Sequence, residues 1–489
     1  MTERTNYPDR TILDRSPTRP SKKRTPSKGN GHADEALTVI DPKAPLDVAS
    51  QFMLTHWMQG GVGCMAFWRS EFWRYAPNGW QQMSTDDVRA ELYRLLSVAK
   101  HPVENLLLSV KPTPRMVNDV LDALRARAKI DDARDAPFML DGTVLPAGGV
   151  LVVNNGYIEL ASRTLRPLTP NLFAPSRADF DYEPDSGDPV KWLAFLGEVF
   201  DDDPASIALL QEFFGHVLSG GNLYQKALFI AGPKRSGKGT IAGVLTRLIG
   251  RAAVASPALH TLGDPFGLAG LLNRSLIVVS DARLTARADI NNVVETLLRV
   301  IAGDPVDVHR KFLTPLPAVV LPGRILMLSN ELPAFADASG AITSRFLILR
   351  TRQSFYGREN PKLARELAEE LPAILDWALD GLTVLTKRAH FVEPGDAEAT
   401  RETWDRATSP TAAFVADCCV VGPHCEVSDD LLFGAYEAWC MRQNFKPLAR
   451  NWFYRDLAPV VATKRRRRLV GGVQKPFLDG IDLCDSPLG

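Results

Sequence analysis

Between residues 225 and 350, short apolar runs alternate with amphipathic stretches, and this alternation predicts the elements of an α/β domain. Ala227 to Ile230, Leu276 to Val279, Ile325 to Leu328 and Phe346 to Leu349 are unbroken apolar runs with the length of buried strands. After the first of them, Ile241, Val244, Leu245 and Leu248 recur at i, i+3, i+4 and i+7, which predicts a helix ending at Gly250. Helical periodicity also fills WLAFLGEVF and IALLQEFFGHVLSGG upstream, and PKLARELAEELPAILDWALDGLTVL downstream.

The flanks have other rhythms. CMAFWRSEFWRYAPNGWQQMS (64–84) reads as three strands with a turn at Asn78-Gly79, and Ser84 with Asp86 and Asp87 opens a helix to about Ala99. A second helix is expected over 114–130, and GGVLVVNNGYIEL (148–160) reads as a hairpin turning at Asn155-Gly156. Trp68, Trp73 and Trp80 could stack on bases, but in so small a sheet they read better as core. Near the C-terminus, Ser409-Pro410 opens a helix to about Val420, Ser428 opens a second, and a third runs from about Ala449 to Val460. A basic run, a Gly471-Gly472 turn and LDGIDL follow.

These patterns divide the chain into a disordered basic tail (1–45), a small N-terminal α+β domain (46–165), a helical region (166–224), the α/β domain (225–392), a polar linker (393–408) and a C-terminal domain (409–489). The tail has eight basic and three acidic residues in its first 30 and almost no aliphatics, too little apolar surface to offset the entropy of ordering. Overall, 57 Lys plus Arg balance 57 Asp plus Glu over 489 residues, so total charge does not announce a polyanion ligand. The positive charge is nevertheless grouped, around Lys22-Lys23-Arg24, at Arg310-Lys311 and over Lys464, Arg465, Arg466, Arg467 and Arg468. Six cysteines are too few for a secreted disulfide scaffold. Cys418, Cys419 and Cys440 fit helix faces as small core residues, with no C-x-x-C pair to suggest zinc. No apolar run approaches the roughly 18 residues of a membrane span. A cytoplasmic protein is expected.

The chemistry concentrates after the first apolar strand, at Gly232-Pro-Lys-Arg-Ser236-Gly237-Lys238-Gly239-Thr240. A glycine-rich turn between strand and helix lets backbone amides converge on phosphate oxygens, where the helix dipole favours negative charge. Lys238 supplies a point charge to the outer phosphates. In G-x-x-x-x-G-K-[ST] a hydroxyl follows the lysine; here Gly239 intervenes, so a magnesium-ligand role passes to Thr240. Asp281, at the end of the second apolar strand, is the candidate carboxylate for metal and water. Asn330, ending the third, could orient the attacking water, and Arg345, opening the fourth, could stabilise charge across a subunit boundary. The same G-K-G-T occurs in nucleoside-monophosphate kinases, but those begin near their phosphate loop.

The order of the motifs resembles the phage and plasmid primase–helicases of the P4 and D5-like type, in superfamily 3 of the AAA+ ATPases. NNGYIEL, LTPNLFAPSRADFDYEP and LQEFFGHVLSG resemble the region before that motor. GPKRSGKGT resembles its Walker A motif, SLIVVSDAR its Walker B, RILMLSNELP its sensor motif and ASGAITSRFLIL the arginine-finger region. The resemblance implies a P-loop AAA+ ATPase core, an ATP and Mg2+ requirement, and a ring, hexameric in kind, translocating on DNA. It implies that Arg310, Lys311 and Phe312 form a hairpin in the ring's channel, and that three helices and a basic hairpin form a C-terminal winged helix. Arg450, Arg455 and Lys464 to Arg468 are the DNA-contact candidates there. Relatives often carry a primase, yet Asp179-Phe180-Asp181 is the only inviting metal pair and lies too close to the motor, so a motor without its primase is expected, with a separate primase or initiator as partner. The expected function is an ATP-dependent DNA helicase for replication of a mobile element; the alternative is an origin-binding initiator ATPase that loads or melts DNA.

Overall fold

The computed structural model describes residues 38–280, 290–333, 335, 341–443, 447–470 and 473–484. In the N-terminal region α1 (Pro45–His56) precedes a meander of β1 (Met65–Trp68), β2 (Glu71–Ala76) and β3 (Gly79–Met83), followed by α2 (Thr85–Val98) and α3 (Pro114–Arg127). The Ser84 hydroxyl accepts the Asp87 amide, the cap expected from sequence. Trp68, Trp73 and Trp80 are buried, and the first two pack edge-on around Phe173. They are core.

A second antiparallel sheet consists of β4 (Val150–Val153), β5 (Gly156–Glu159) and β6 (Thr164–Arg166). Gly156 pairs with Val153, so the turn is Asn154-Asn155, one residue earlier than expected. A Cβ on Gly156 would lie 2.3 Å from the Arg166 carbonyl oxygen, which explains the glycine in the strand. Leu151, Val153, Ile158 and Leu160 do not join the tryptophan core. They pack with α4 (Val190–Phe200) and α5 (Pro204–Ser219), so the core changes before this sheet and not at 165.

The central unit comprises β7 (Ala227–Ala231), α6 (Lys238–Ile249), β8 (Val254–Ala255), β9 (Leu276–Val279), α7 (Ile290–Ala302), a hairpin of β10 (Val306–Arg310) and β11 (Leu313–Val319), then β12 (Arg324–Ser329), α8 (Ala341–Ser344) and β13 (Phe346–Arg350). All four apolar runs are strands of one parallel five-stranded sheet, ordered β8-β9-β12-β7-β13. The first strand of this sheet in chain order, β7, is thus interior, and the passage from β12 to β13 crosses it. Alternation divides each strand between two cores. Leu228, Ile230, Leu326 and Leu328 face α5, α6 and the pair α9 (Leu363–Glu369) and α10 (Leu371–Arg388). Phe229, Ile277, Met327 and Ile348 face α7.

The expected linker is instead α11 (Ala397–Thr408), docked on that second face. Ala397, Thr400 and Trp404 form its buried stripe, and the Trp404 indole lies 4.5 Å from the Phe229 ring. The segment reads as polar because, among its described side chains, the buried ones are these three at helical spacing.

The C-terminal unit is α12 (Pro410–Cys418), β14 (Cys419–Ser428), α13 (Asp429–Arg442), α14 (Arg450–Leu457), β15 (Lys464–Val470) and β16 (Val473–Leu483), with the antiparallel order β14-β16-β15. Ser409 and Ser428 cap α12 and α13 as expected. The first helix ends at Cys418 because a strand, unforeseen from sequence, starts at Cys419; Cys419 is therefore a strand residue, while Cys418 and Cys440 are buried on helices. No described helix is long and apolar enough to cross a membrane.

Candidate nucleotide and nucleic-acid sites

Gly232, with φ +156°, leaves β7 where a Cβ would meet the Thr351 hydroxyl and carbonyl. Gly237 (φ +88°) caps α6, where a Cβ would strike Val199 and Phe195 of α4 at 2.8 and 2.9 Å. Glycine is required at both ends of the loop by close approach. Lys238 is the first residue of α6 and is buried. Its Nζ donates to the carbonyls of Gly232 (2.8 Å) and Pro233 (2.7 Å), the Ser236 hydroxyl (3.2 Å) and Asn330 Oδ1 (3.1 Å). Two candidates from separate motifs, Lys238 and Asn330, therefore meet. Burial holds the Lys238 ammonium below its ordinary pKa. Ser236 is fixed in turn by the Thr351 hydroxyl at 2.6 Å.

The loop opens on a cavity of about 880 Å³. Gly237, Lys238, Gly239, Thr240 and Asn330 are among the residues that line it. Sequence reading missed the opposite wall, contributed by Lys191 and Phe195 of α4 and by Phe355, Arg358 and Leu363. The segment after β13 is tied to the loop. The Phe355 amide donates to the Arg235 carbonyl at 2.8 Å, the Ser354 hydroxyl to the Lys234 carbonyl at 2.8 Å, and Arg235 pairs with Glu359 at 3.5 Å. The sequence reads as helical over the whole of 351–392, but the chain is irregular from 351 to 362 and the helix starts at Leu363, so only tertiary placement discloses this wall. Asp281 lies outside the described residues, as do the tail at 1–37 and the Gly471-Gly472 turn.

Arg345 is not part of the cavity. It precedes β13, whose Phe346 is paired with Ala227 at the start of β7, whereas Lys238 follows the end of β7. A five-residue strand at roughly 3.3 Å per residue separates the two ends of the sheet. Arg345 donates to Gln225 Oε1 at 2.8 Å, and beside it Lys226 donates to the Ser344 carbonyl at 2.6 Å. Lys226, also missed from sequence, is held below its ordinary pKa, first by burial and then by Arg401 and Arg345, against the pull of Glu393.

The β10–β11 hairpin turns at Lys311-Phe312, since Arg310 pairs with Leu313. Phe312 is 94% exposed and has φ +62°. A fully exposed phenylalanine in the left-handed region is costly locally and gains no packing in return. The Lys311 ammonium stands 5.5 Å from its ring. Arg310 points elsewhere. Its guanidinium donates to the Thr314 carbonyl at 2.9 Å and to the Arg69 carbonyl of the β1–β2 turn at 3.4 Å, bracing the hairpin.

The basic strand β15 is largely neutralised within its own domain. Arg465 pairs with Asp429, Arg466 with Glu426 (3.1 Å) and Asp479 (2.8 Å), and Arg468 with Glu426 (3.3 Å). On α14, Arg450 pairs with Asp430 at 2.8 Å, while Arg455 stacks on Trp452 with its guanidinium 3.6 Å from the ring centroid.

Residues 71–201 match the family described as D5 N terminal like. This match over about a quarter of the chain supports the resemblance to the phage D5-like primase–helicases drawn from the motifs. Residues 230–345 match a family of unknown function, DUF5906. Similar solved structures include apo forms of the C-terminal region of NrS-1. One, in an A form, is 12% identical, with 85% of this chain and 95% of that chain covered and a TM-score of 0.47. Another, spanning 305–718 of NrS-1, is 10% identical, with 90% and 99% covered and a TM-score of 0.46.

Proposed function

We propose that the chain is an ATP-dependent DNA helicase, a superfamily 3 AAA+ ring motor acting in replication of a phage, plasmid or other mobile element. One observation carries this reading: the Lys238 ammonium, ringed by loop oxygens and Asn330, sits at a helix N-terminus facing a cavity large enough for a nucleoside triphosphate. The interior position of β7 supports it too, because ligands of open parallel sheets bind beyond the strands' C-terminal ends where the chain reverses direction.

In this reading the amides of 236–240 and Lys238 hold the β- and γ-phosphates of ATP, which relieve the ammonium of its weaker carbonyl partners. Thr240 lies on the cavity wall beside the lysine, as a hydroxyl ligand must, and with Asp281 it would hold Mg2+. That ion, when bound, supplies charge neutralisation at the phosphates. Asn330, released from Lys238, can orient the attacking water. Arg345 and Lys226 stand at the wrong end of their own sheet to reach this cavity, and they serve the site of a neighbouring subunit in a ring we read as a hexamer.

Lys311 and Phe312 supply a positive charge and an aromatic platform at the hairpin tip for one DNA strand. Arg310 sets the angle of that tip. The helix–strand–helix–helix–strand–strand order of the C-terminal unit supports the winged-helix assignment. A separate primase or initiator remains the expected partner. A forked-duplex strand-displacement assay tests the proposal. Wild type separates the strands only with ATP and Lys238→Ala does not; equal, ATP-independent separation by both would overturn it.

A further inference from the structure

The three-helix unit at the C-terminus exposes one helix face that no described residue of its own fold covers. On α14, Phe453 and Leu457 are buried and the Tyr454 hydroxyl donates to the Asp429 carbonyl at 2.7 Å, which anchors the helix. The outward stripe is Asn451, Trp452 and Arg455 at i, i+1 and i+4, all exposed. Trp452 is 49% exposed, and a half-exposed indole carrying a stacked guanidinium is a preformed cation–aromatic surface. Among the described residues, Arg455 has its neighbour Asp456 as acid partner, at 3.4 Å.

The charges around this face decide what it fits. Arg450, Arg465, Arg466 and Arg468 are already paired with Asp430, Asp429, Glu426 and Asp479. Asp430 itself stands exposed at the start of the stripe's neighbourhood. A surface clamping duplex phosphates needs a dense field of free cations; among the described residues of this unit the exposed cations without an acid partner are Arg442, Lys464, Arg467 and Lys475, while Arg455 meets Asp456 at 3.4 Å. Arg465 lies over Tyr454 of α14 at 5.0 Å, and Arg467, two residues on, shares that side of the strand. An exposed indole carrying a stacked guanidinium, beside the exposed Asn451 amide, suits unpaired bases better than a charged backbone.

We propose that Asn451, Trp452 and Arg455 bind single-stranded nucleic acid, with a base stacked on Trp452 and the backbone held by Arg455 and Arg467. The proposal rests on the nucleic-acid reading above for its choice of ligand; of the C-terminal contact candidates it keeps Arg455 and Arg467, adds Asn451 and Trp452, and makes the ligand a single strand.

The test measures binding of a fluorescein-labelled oligothymidylate to the full chain by anisotropy, without nucleotide, in a Lys311→Ala, Phe312→Ala background that removes the hairpin tip. Trp452→Ala is expected to weaken binding by about tenfold or more, as loss of one stacked base does, and Trp452→Phe to restore most of it. Arg466→Ala with Arg468→Ala should change affinity by less than about threefold, since both arginines are engaged by acids. With the two backbone contacts of Arg455 and Arg467, log affinity should fall with log salt at a slope of about −1.4. Unchanged affinity in Trp452→Ala, or a blunt duplex bound more tightly with a slope of about −4.5 or steeper, would overturn the proposal. Either result leaves the motor reading intact, because ATP-dependent strand displacement is read separately. Loss of ATP dependence there, with the Trp452 effect retained, would sink the motor and spare this surface.

Discussion

Replacing Trp404 with alanine removes the side chain by which α11 holds the central sheet. The indole is fully buried, 4.5 Å from Phe229, 5.4 Å from Phe346 and 5.9 Å from Phe335, and its N–H donates to the Pro333 carbonyl at 2.7 Å. Truncating a buried tryptophan costs about 3–5 kcal/mol, and the lost hydrogen bond adds about 1 kcal/mol. Phenylalanine keeps the ring contacts and loses the donor, so Trp404→Phe should cost about 1–2 kcal/mol. The change reaches function because Pro333 follows Asn330 by three residues, and because α11 also holds the segment before Arg345. Asp405 accepts from Thr343, and Arg401 donates to the Phe346 carbonyl at 3.0 Å. Urea unfolding followed by circular dichroism, with the transition of the central domain fitted separately, gives the stability change. ATP turnover below the transition gives the functional one. A cost below about 1 kcal/mol for Trp404→Ala would refute the claim that α11 is an integral layer of the domain and restore it to a linker.

Other expectations follow from the same geometry. Phe312→Gly relieves a left-handed backbone and buries nothing less, so the unfolding free energy should hold or rise by up to about 1 kcal/mol while DNA-stimulated ATP turnover falls at least tenfold; a loss of stability with unchanged stimulation would contradict it. Burial lowers the Lys238 pKa in the empty site, and bound phosphate favours the charged form. Nucleotide affinity should therefore be full below the empty-site pKa and decline as pH rises through it, with proton uptake on binding; calorimetry in buffers of different ionisation enthalpy reads the sign.

Much of the central sheet was legible because its signals are local. Four apolar runs became four strands, and the period of Ile241, Val244, Leu245 and Leu248 became α6, ended by Gly250. Lys238 and Asn330 were each legible by motif, and their 3.1 Å contact followed from the β7–β12 pairing that sequence does not print. What stayed hidden was tertiary. The far cavity wall at Phe355 and Arg358 lies on an irregular stretch that the sequence reads as helical. The strand β14, half-exposed along most of its length, shows no alternation to read. Five consecutive basic residues suggested a phosphate clamp, yet strand pairing places Glu426 and Asp479 beside them. Arg310 shows the same lesson, since its side chain is taken up by the carbonyls of Thr314 and Arg69.

In the proposed motor, the ATP site is completed by the next subunit. Co-expression of Lys238→Ala and Arg345→Ala chains, with ATP turnover measured on the mixed assemblies, tests it most directly. Each variant alone should be inactive. In a random equal mixture roughly a quarter of the interfaces join an intact Lys238 to a neighbour's intact Arg345, and turnover should recover to about that share. A mixture as inactive as its parents, or an Arg345→Ala chain as active as wild type, would contradict the account.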